Sequence, residues 1–203
     1  MSTKNKAAII AVLGASGSGK STFVKQYLAR AKPSRLLVWD FMHEYKMGDD
    51  VSRVSVLAEK LYGEKGSFSL TFRPSADEST RAAQFDVFCG LALAAKNLTL
   101  VVEELRFVTT PSRAPMRWAQ VTMTGRHAGL RVIGTSQRPA SIDKDFLGNA
   151  TLIHTGRLVY PEDTRAVAKA MRVAESEIDD LAPLDWLEKD MQIGKKAKGR
   201  ITF

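Results

Sequence analysis

The sequence predicts an α/β fold, a mostly parallel central sheet flanked by helices, built as one domain over residues 1–203. Three observations carry that reading. Short buried strands alternate with helical stretches along most of the chain, the pattern left by parallel strands joined through crossover helices. A length of 203 residues is enough to bury one sheet between two helical layers, with no comfortable room for a second catalytic domain. The first strand also runs straight into Gly14-Ala15-Ser16-Gly17-Ser18-Gly19-Lys20-Ser21-Thr22, a complete P-loop, and that motif belongs between a strand and a helix.

The elements follow in order. Ala7 to Leu13 is an apolar run that reads as a buried strand, and Lys20 to Ala31 is the helix after the P-loop. Arg35 to Asp40 reads as a second buried strand ending in a carboxylate, followed by a polar, glycine-containing stretch. Phe68 to Arg73 alternates apolar and polar residues, and Pro74 stops it. A long helix is expected from about Glu78 to Lys96, a strand from Leu98 to Val102, and then a loop rich in Pro and Arg. Trp118 to Ala128 suits a helix, Leu130 to Ser136 a strand and Asn149 to Leu158 the last strand of the core. A helix begins near Glu162, with Pro161 at its edge. Beyond Ser176 the pattern loosens, and Met191 to Phe203 is either a small hairpin or a basic tail. Residues 1–6 and 194–203 are expected to be basic tails.

Composition narrows the class. A formal net charge of +8 favours a polyanionic partner, because clustered Lys and Arg release condensed counterions from a phosphate backbone. The bland alternative is a solvated basic surface. The single cysteine, Cys89, excludes an intramolecular disulfide, and its apolar neighbours Val87, Phe88 and Leu91 mark it as a packed core thiol in a reducing compartment. No stretch reaches the roughly 18 apolar residues of a membrane span, and nothing resembles a cleaved signal peptide. His43, His127 and His154 lack metal-ligand spacing, so zinc is not expected. Trp39, Trp118 and Trp186 could stack on bases, although Trp39 lies in a buried strand and reads as core.

The P-loop supplies the first chemistry. Its glycines let successive N–H groups point at phosphate oxygens, at the positive end of the following helix. Lys20 then meets the β and γ phosphates of ATP, and the Ser21 hydroxyl serves Mg2+. Hydrolysis needs an acidic element on a strand beside the first, and Leu98-Thr99-Leu100-Val101-Val102-Glu103-Glu104 provides an apolar strand ending in two carboxylates. We assign Glu103 to Mg2+ and Glu104 to the general base, against the plainer reading of solvated acids at a strand end. Gln137, in a Thr-Ser-Gln turn at the end of another buried strand, stands where ligands gather in open α/β sheets and is placed to sense the γ phosphate or orient water.

Gly125 to Pro139 is the most discriminating segment. It reads as a helix end containing Arg126 and Gly129, an apolar strand and then Gln137-Arg138-Pro139. With the Walker-B-like Glu103-Glu104 strand end, it resembles the FtsK/HerA superfamily of ring-forming DNA pumps. Asp40, Glu44 and Tyr45 match a turn of the HerA branch, and Arg157 and Glu162 to Arg165 extend the likeness to about Met171. In this superfamily the usual acid pair is Asp-Glu, so the longer Glu103 is a departure. Compact members include the genome-packaging ATPases of membrane-containing tailless viruses, which this chain most resembles.

The resemblance implies a RecA-like core with an additional strand and an ATPase that pumps double-stranded DNA as a homo-oligomeric ring, pentamer or hexamer. Capsid or membrane-vertex proteins are possible partners, and the expected location is the host cytoplasm or a virion vertex. It also implies an arginine donated in trans to the neighbouring nucleotide site, with Arg126 first and Arg157 and Arg138 as alternatives; the plain reading of Arg126 is a surface arginine paired with a carboxylate. DNA-contact candidates are Arg106, Arg113 and Arg117 in the loop after Glu104, with Lys46, Arg53, Lys60 and Lys65 behind them. Two rival classes share the P-loop. One is a nucleotide or small-molecule kinase, and the other is an ATP-dependent assembly protein that does not hydrolyse.

Overall fold

A computed structural model describes residues 8–63 and 66–203. Strand β1 (Ala8–Leu13) leads through the P-loop into α1 (Lys20–Ala31). Next come β2 (Arg35–Trp39), β3 (Asp49–Val51), α2 (Val54–Gly63), β4 (Phe68–Phe72), α3 (Glu78–Ala95), β5 (Thr99–Val102) and α4 (Met116–Thr124). The chain continues with β6 (Arg131–Ser136), α5 (Lys144–Gly148), β7 (Leu152–Gly156), α6 (Pro161–Met171), α7 (Ser176–Asp179), β8 (Asp185–Asp190) and β9 (Lys196–Arg200).

These strands form one sheet in the order β3-β4-β2-β5-β6-β1-β7-β8-β9, parallel from β3 to β7 and antiparallel over β8 and β9. The expected α/β class is therefore observed. Strand β6 lies between β1 and β5, pairing Leu13 with Ser136 on one side and Val102 with Gly134 on the other. The acidic strand is thus one place removed from the P-loop strand rather than beside it, which is the additional-strand arrangement. Parallel register brings the carboxyl ends of β1, β2, β5 and β6 to one edge of the sheet, where Gly14, Asp40, Glu103 and Gln137 begin their loops.

Both faces of the sheet are covered, so the central strands are apolar throughout rather than alternating. One face packs Ala11, Leu13, Leu37 and Trp39 against Phe85, Phe88 and Cys89 of α3 and Trp118 of α4. Trp39 is fully buried, stacked on Phe72 at 5.5 Å and edge-on to Phe85 and Phe88 at 5.0 and 5.1 Å. The other face packs Ile10, Val12, Val38 and Ile133 against Phe23, Val24 and Leu28 of α1. Cys89 is a buried core thiol, as its neighbours implied.

Several expectations change. Of the two readings of Met191 to Phe203 the hairpin is observed, and the segment 194–203 is not a tail: Lys196–Arg200 pair with β8, because β8 exposes an edge that a hairpin can fill, while Lys195, Lys196, Lys198 and Arg200 stay exposed. The helix expected over Trp118 to Ala128 ends at Thr124, and Gly125–Ala128 tighten into a 3-10 turn closed by Gly129 at φ 69°. Strand β7 is shorter than Asn149 to Leu158, since α5 and its C-cap take the start. Helix α2 and strand β3 fall in the stretch read as a polar loop. The expected N-terminal tail, residues 1–6, and Lys65 lie outside the described residues. Among the described residues, no helix is long and apolar enough to cross a membrane.

Candidate nucleotide site

The P-loop is held from both sides. Gly14 donates its N–H to Ser136 O at 3.2 Å, and Ala15 donates to Arg157 O at 2.8 Å, so the loop hangs from the ends of β6 and β7. Gly14 sits at φ 145°, and a Cβ there would come within 2.5 Å of Ser18 Oγ, which explains the glycine. Helix α1 starts at Gly19 with no side-chain cap and no acid in its first turn, whereas Asp77 caps α3 and Asp143 caps α5. Its first N–H groups are therefore left for an anion. A cavity of about 290 Å³ opens here, lined by Ser16, Gly17, Gly19, Lys20, Ser21, Thr22, Lys25, Glu44, Gln137 and Phe203.

Lys20 donates to Ala15 O at 2.9 Å, across the loop it closes. Burial lowers its pKa, while Glu104, Glu44 and Glu103 around it pull the other way. Glu104, 2 % exposed, accepts the Gln137 N–H at 3.0 Å and the Ser136 hydroxyl at 3.3 Å. Its own N–H donates to Thr135 Oγ1 at 3.1 Å, and its backbone is left-handed, at φ 51° and ψ 67°. Glu103 accepts the Met42 N–H at 2.7 Å. Burial raises both carboxyls, and Glu103 reaches about 7, helped by Glu44 and Glu104.

Asp40 is a positioning residue rather than a ligand. It is fully buried and accepts the N–H groups of Glu44 and Tyr45, both at 2.9 Å, as well as Arg73. That bends the 41–45 turn so that Glu44 meets the hydroxyl of Ser21. Ser21 is thus partnered by Glu44, not by Glu103. The donors offered around Lys20 are a hydroxyl and carboxylates, all hard oxygens, which suits Mg2+. Among the described residues there is no group of three or more His, Cys, Asp or Glu that could hold a metal alone.

No family model matches the chain. Protein P9 of Pseudoalteromonas phage PM2 is 29% identical over 180 residues, covering 84% of this chain and 78% of that one. The genome packaging NTPase B204 of Sulfolobus turreted icosahedral virus 2, solved with AMPPCP, superposes with a TM-score of 0.75 at 16% identity, covering 98% of this chain and 100% of B204. This chain and B204 share one fold. VirB4 of Thermoanaerobacter pseudethanolicus shares it, with a TM-score of 0.71 at 14% identity over 100% of this chain and 91% of that one. The resemblance read in the sequence is matched by this shared fold.

On this fold the arginines separate. Arg126 is exposed just before β6, at the opposite edge of the sheet from Gln137, roughly 20 Å away along a six-residue strand. It cannot serve its own P-loop. Arg138 is engaged within its own chain, bonded to Asp163 at 2.7 Å and Glu162 at 2.9 Å and stacked 3.9 Å over Tyr160. Arg157 is exposed beside the P-loop. Arg117 pairs with Asp86 at 2.9 Å and lies over Gly90, and so clamps α4 to α3. Arg106 lies 3.6 Å from Glu104 and 4.7 Å over Phe107, while Arg113 is exposed in a Thr110–Arg113 turn. Lys60 bonds Asp49 at 2.7 Å.

Sequence reasoning missed four contributors. Arg73 locks Asp40 and also reaches Tyr45 O at 2.6 Å. Thr135 fixes the Glu104 turn. Arg81, buried between Phe41 and Phe107 at 4.7 and 5.8 Å, clamps the loops after β2 and β5. Residues 201–203 come back to the P-loop. Only the first had a signal, an arginine closing an alternating strand just before Pro74.

Proposed function

We propose that this chain is an ATP-hydrolysing motor that moves double-stranded DNA, a viral genome-packaging ATPase working as a homo-oligomeric ring. The observation that carries it is Glu104, a buried carboxylate of raised pKa fixed between Lys20, Ser136 and Gln137 beside an uncapped P-loop. Neither a switch nor a scaffold needs a base there. The likeness to B204 supports the packaging assignment, and the net charge of +8 supports a polyanionic load.

The phosphates of ATP lie on the N–H groups of residues 16–22, with Lys20 at the β and γ positions. Glu104 takes a proton from a water whose oxygen attacks the γ phosphorus, as the bond to the ADP oxygen breaks. A carboxyl raised by burial is the stronger base for that step. Gln137 lines the same cavity and orients the water. Ser21, Glu103 and Glu44 would hold Mg2+, which when bound neutralises the charge developing on the phosphates. An arginine from the adjacent subunit, Arg126 first, completes the site.

Arg106 and Arg113, in the loop that begins at Glu104, link the hydrolytic carboxylate to the DNA-facing surface. The ring places the protein in the host cytoplasm or at a virion vertex, beside capsid or membrane-vertex proteins. Phosphate release from ATP, measured with and without double-stranded DNA, tests the reading. DNA-stimulated release supports it, and no release under both conditions ends it.

A further inference from the structure

Residues 201–203 leave β9 and run back to the start of α1. Ile201 donates its N–H to Leu184 O at 2.9 Å, is 5 % exposed, and lies so close to Gly19 that a Cβ there would come within 2.8 Å of its Cγ1. The next carbonyl, Thr202 O, accepts from Gln26 Nε2 on α1 at 2.7 Å. These two anchors leave the third residue, Phe203, at the mouth of the P-loop cavity with 92 % of its surface exposed.

Phe203 is an exposed aromatic residue. Its neighbour is packed, its backbone is tethered, and its ring is nevertheless in solvent beside a phosphate cradle. The cavity is polar toward Lys20, Ser21, Glu44 and Gln137, where a triphosphate has all the partners it needs. Nothing on that side is built for a flat, weakly polar heterocycle. An aromatic face is, because stacking uses the π surface that every base has.

We propose that Phe203 is a nucleobase-stacking residue, and that the segment 201–203 forms the base subsite of the nucleotide site. This rests on the P-loop cavity being a nucleotide site. Stacking reads area rather than hydrogen-bond pattern, so the subsite takes purine nucleotides, adenine and guanine alike. The buried contact of Ile201 with Gly19 fixes the distance between base and phosphates.

The test is equilibrium binding of two probes, a non-hydrolysable ATP analogue and inorganic tripolyphosphate, to the full chain and to Phe203→Ala, Phe203→Trp and Lys20→Ala. Phe203→Ala is expected to weaken the analogue about 10-fold and leave tripolyphosphate unchanged. Phe203→Trp is expected to keep both. An analogue affinity unchanged in Phe203→Ala, or an equal loss of both probes, overturns the proposal. If Lys20→Ala loses both probes while Phe203→Ala loses neither, the phosphate site stands and only the base subsite falls. If the unmodified chain binds neither probe, the nucleotide site itself is overturned, and the base subsite with it.

Discussion

Glu104 and Gln137 are joined across two strands: the Glu104 carboxylate accepts the Gln137 N–H at 3.0 Å, fixing the end of β5 to the end of β6. The bond matters because Glu104 has a left-handed backbone, a conformation that costs a glutamate about 1 kcal/mol or more and persists only where its surroundings enforce it. Thr135, Ser136 and Gln137 all contribute. Glu104→Gln preserves shape and removes the base. Phosphate release is expected to fall at least about 100-fold, while binding of a non-hydrolysable ATP analogue is kept. Unchanged turnover would reassign the base, and unchanged DNA packaging without turnover would favour the assembly-protein reading.

Arg126 and Lys20 lie at opposite edges of the sheet, so one subunit cannot bring them together. Each single variant, Arg126→Ala and Lys20→Ala, is expected to lose most of its ATPase activity. Mixed together, they form some interfaces that carry an intact Lys20 facing an intact Arg126, and part of the activity returns. Purely additive residual rates in the mixture would exclude the trans role for Arg126 and pass it to Arg157.

Glu103 makes the unliganded protein sensitive to pH. Its carboxyl is raised by burial to about 7 in the folded chain, against an ordinary value near 4.5 when unfolded. The folded state therefore binds the proton more tightly, and stability is lost as pH rises from about 4.5 through 7. Glu103→Gln removes the penalty. The variant is expected to gain about 2–3 kcal/mol at pH 8 and almost nothing at pH 4, read from denaturant midpoints without nucleotide. An equal gain at both pH values would show that the effect is packing rather than ionisation.

The architecture was largely legible from the sequence because its central strands are apolar on both faces and each is followed by a clear breaker. The P-loop, the Glu103-Glu104 strand end and the Gln137 turn could be read for the same reason, since all three stand at strand ends. What could not be read was set by distance in the chain. Strand β9 is Lys-rich and exposed, so the sequence leaves hairpin and tail open and its pairing with β8 decides between them. The partner of Ser21 is a glutamate 23 residues away, delivered by a turn whose geometry Asp40 and Arg73 impose. Arg117 and Arg138 looked free because their carboxylates, Asp86 and Asp163, lie on other helices.

Asp40 and Arg73 are expected to behave as a buried pair that fails when halved. Arg73→Ala leaves the Asp40 carboxylate, itself fully buried, with only its two backbone donors. A loss of about 3 kcal/mol in unfolding free energy is expected, with a further drop in ATPase activity as Glu44 moves from Ser21. Thermal or denaturant unfolding checks the first part and phosphate release at a permissive temperature the second. Full stability in Arg73→Ala would show that the 41–45 turn is held elsewhere.

Hydrolysis at the P-loop is expected to move DNA. The direct measurement is displacement of a triplex-forming strand from double-stranded DNA by the assembled protein. Displacement is expected with ATP, and none with the non-hydrolysable analogue or with Glu104→Gln. A protein that hydrolyses ATP on bound double-stranded DNA yet leaves the third strand in place would contradict the account.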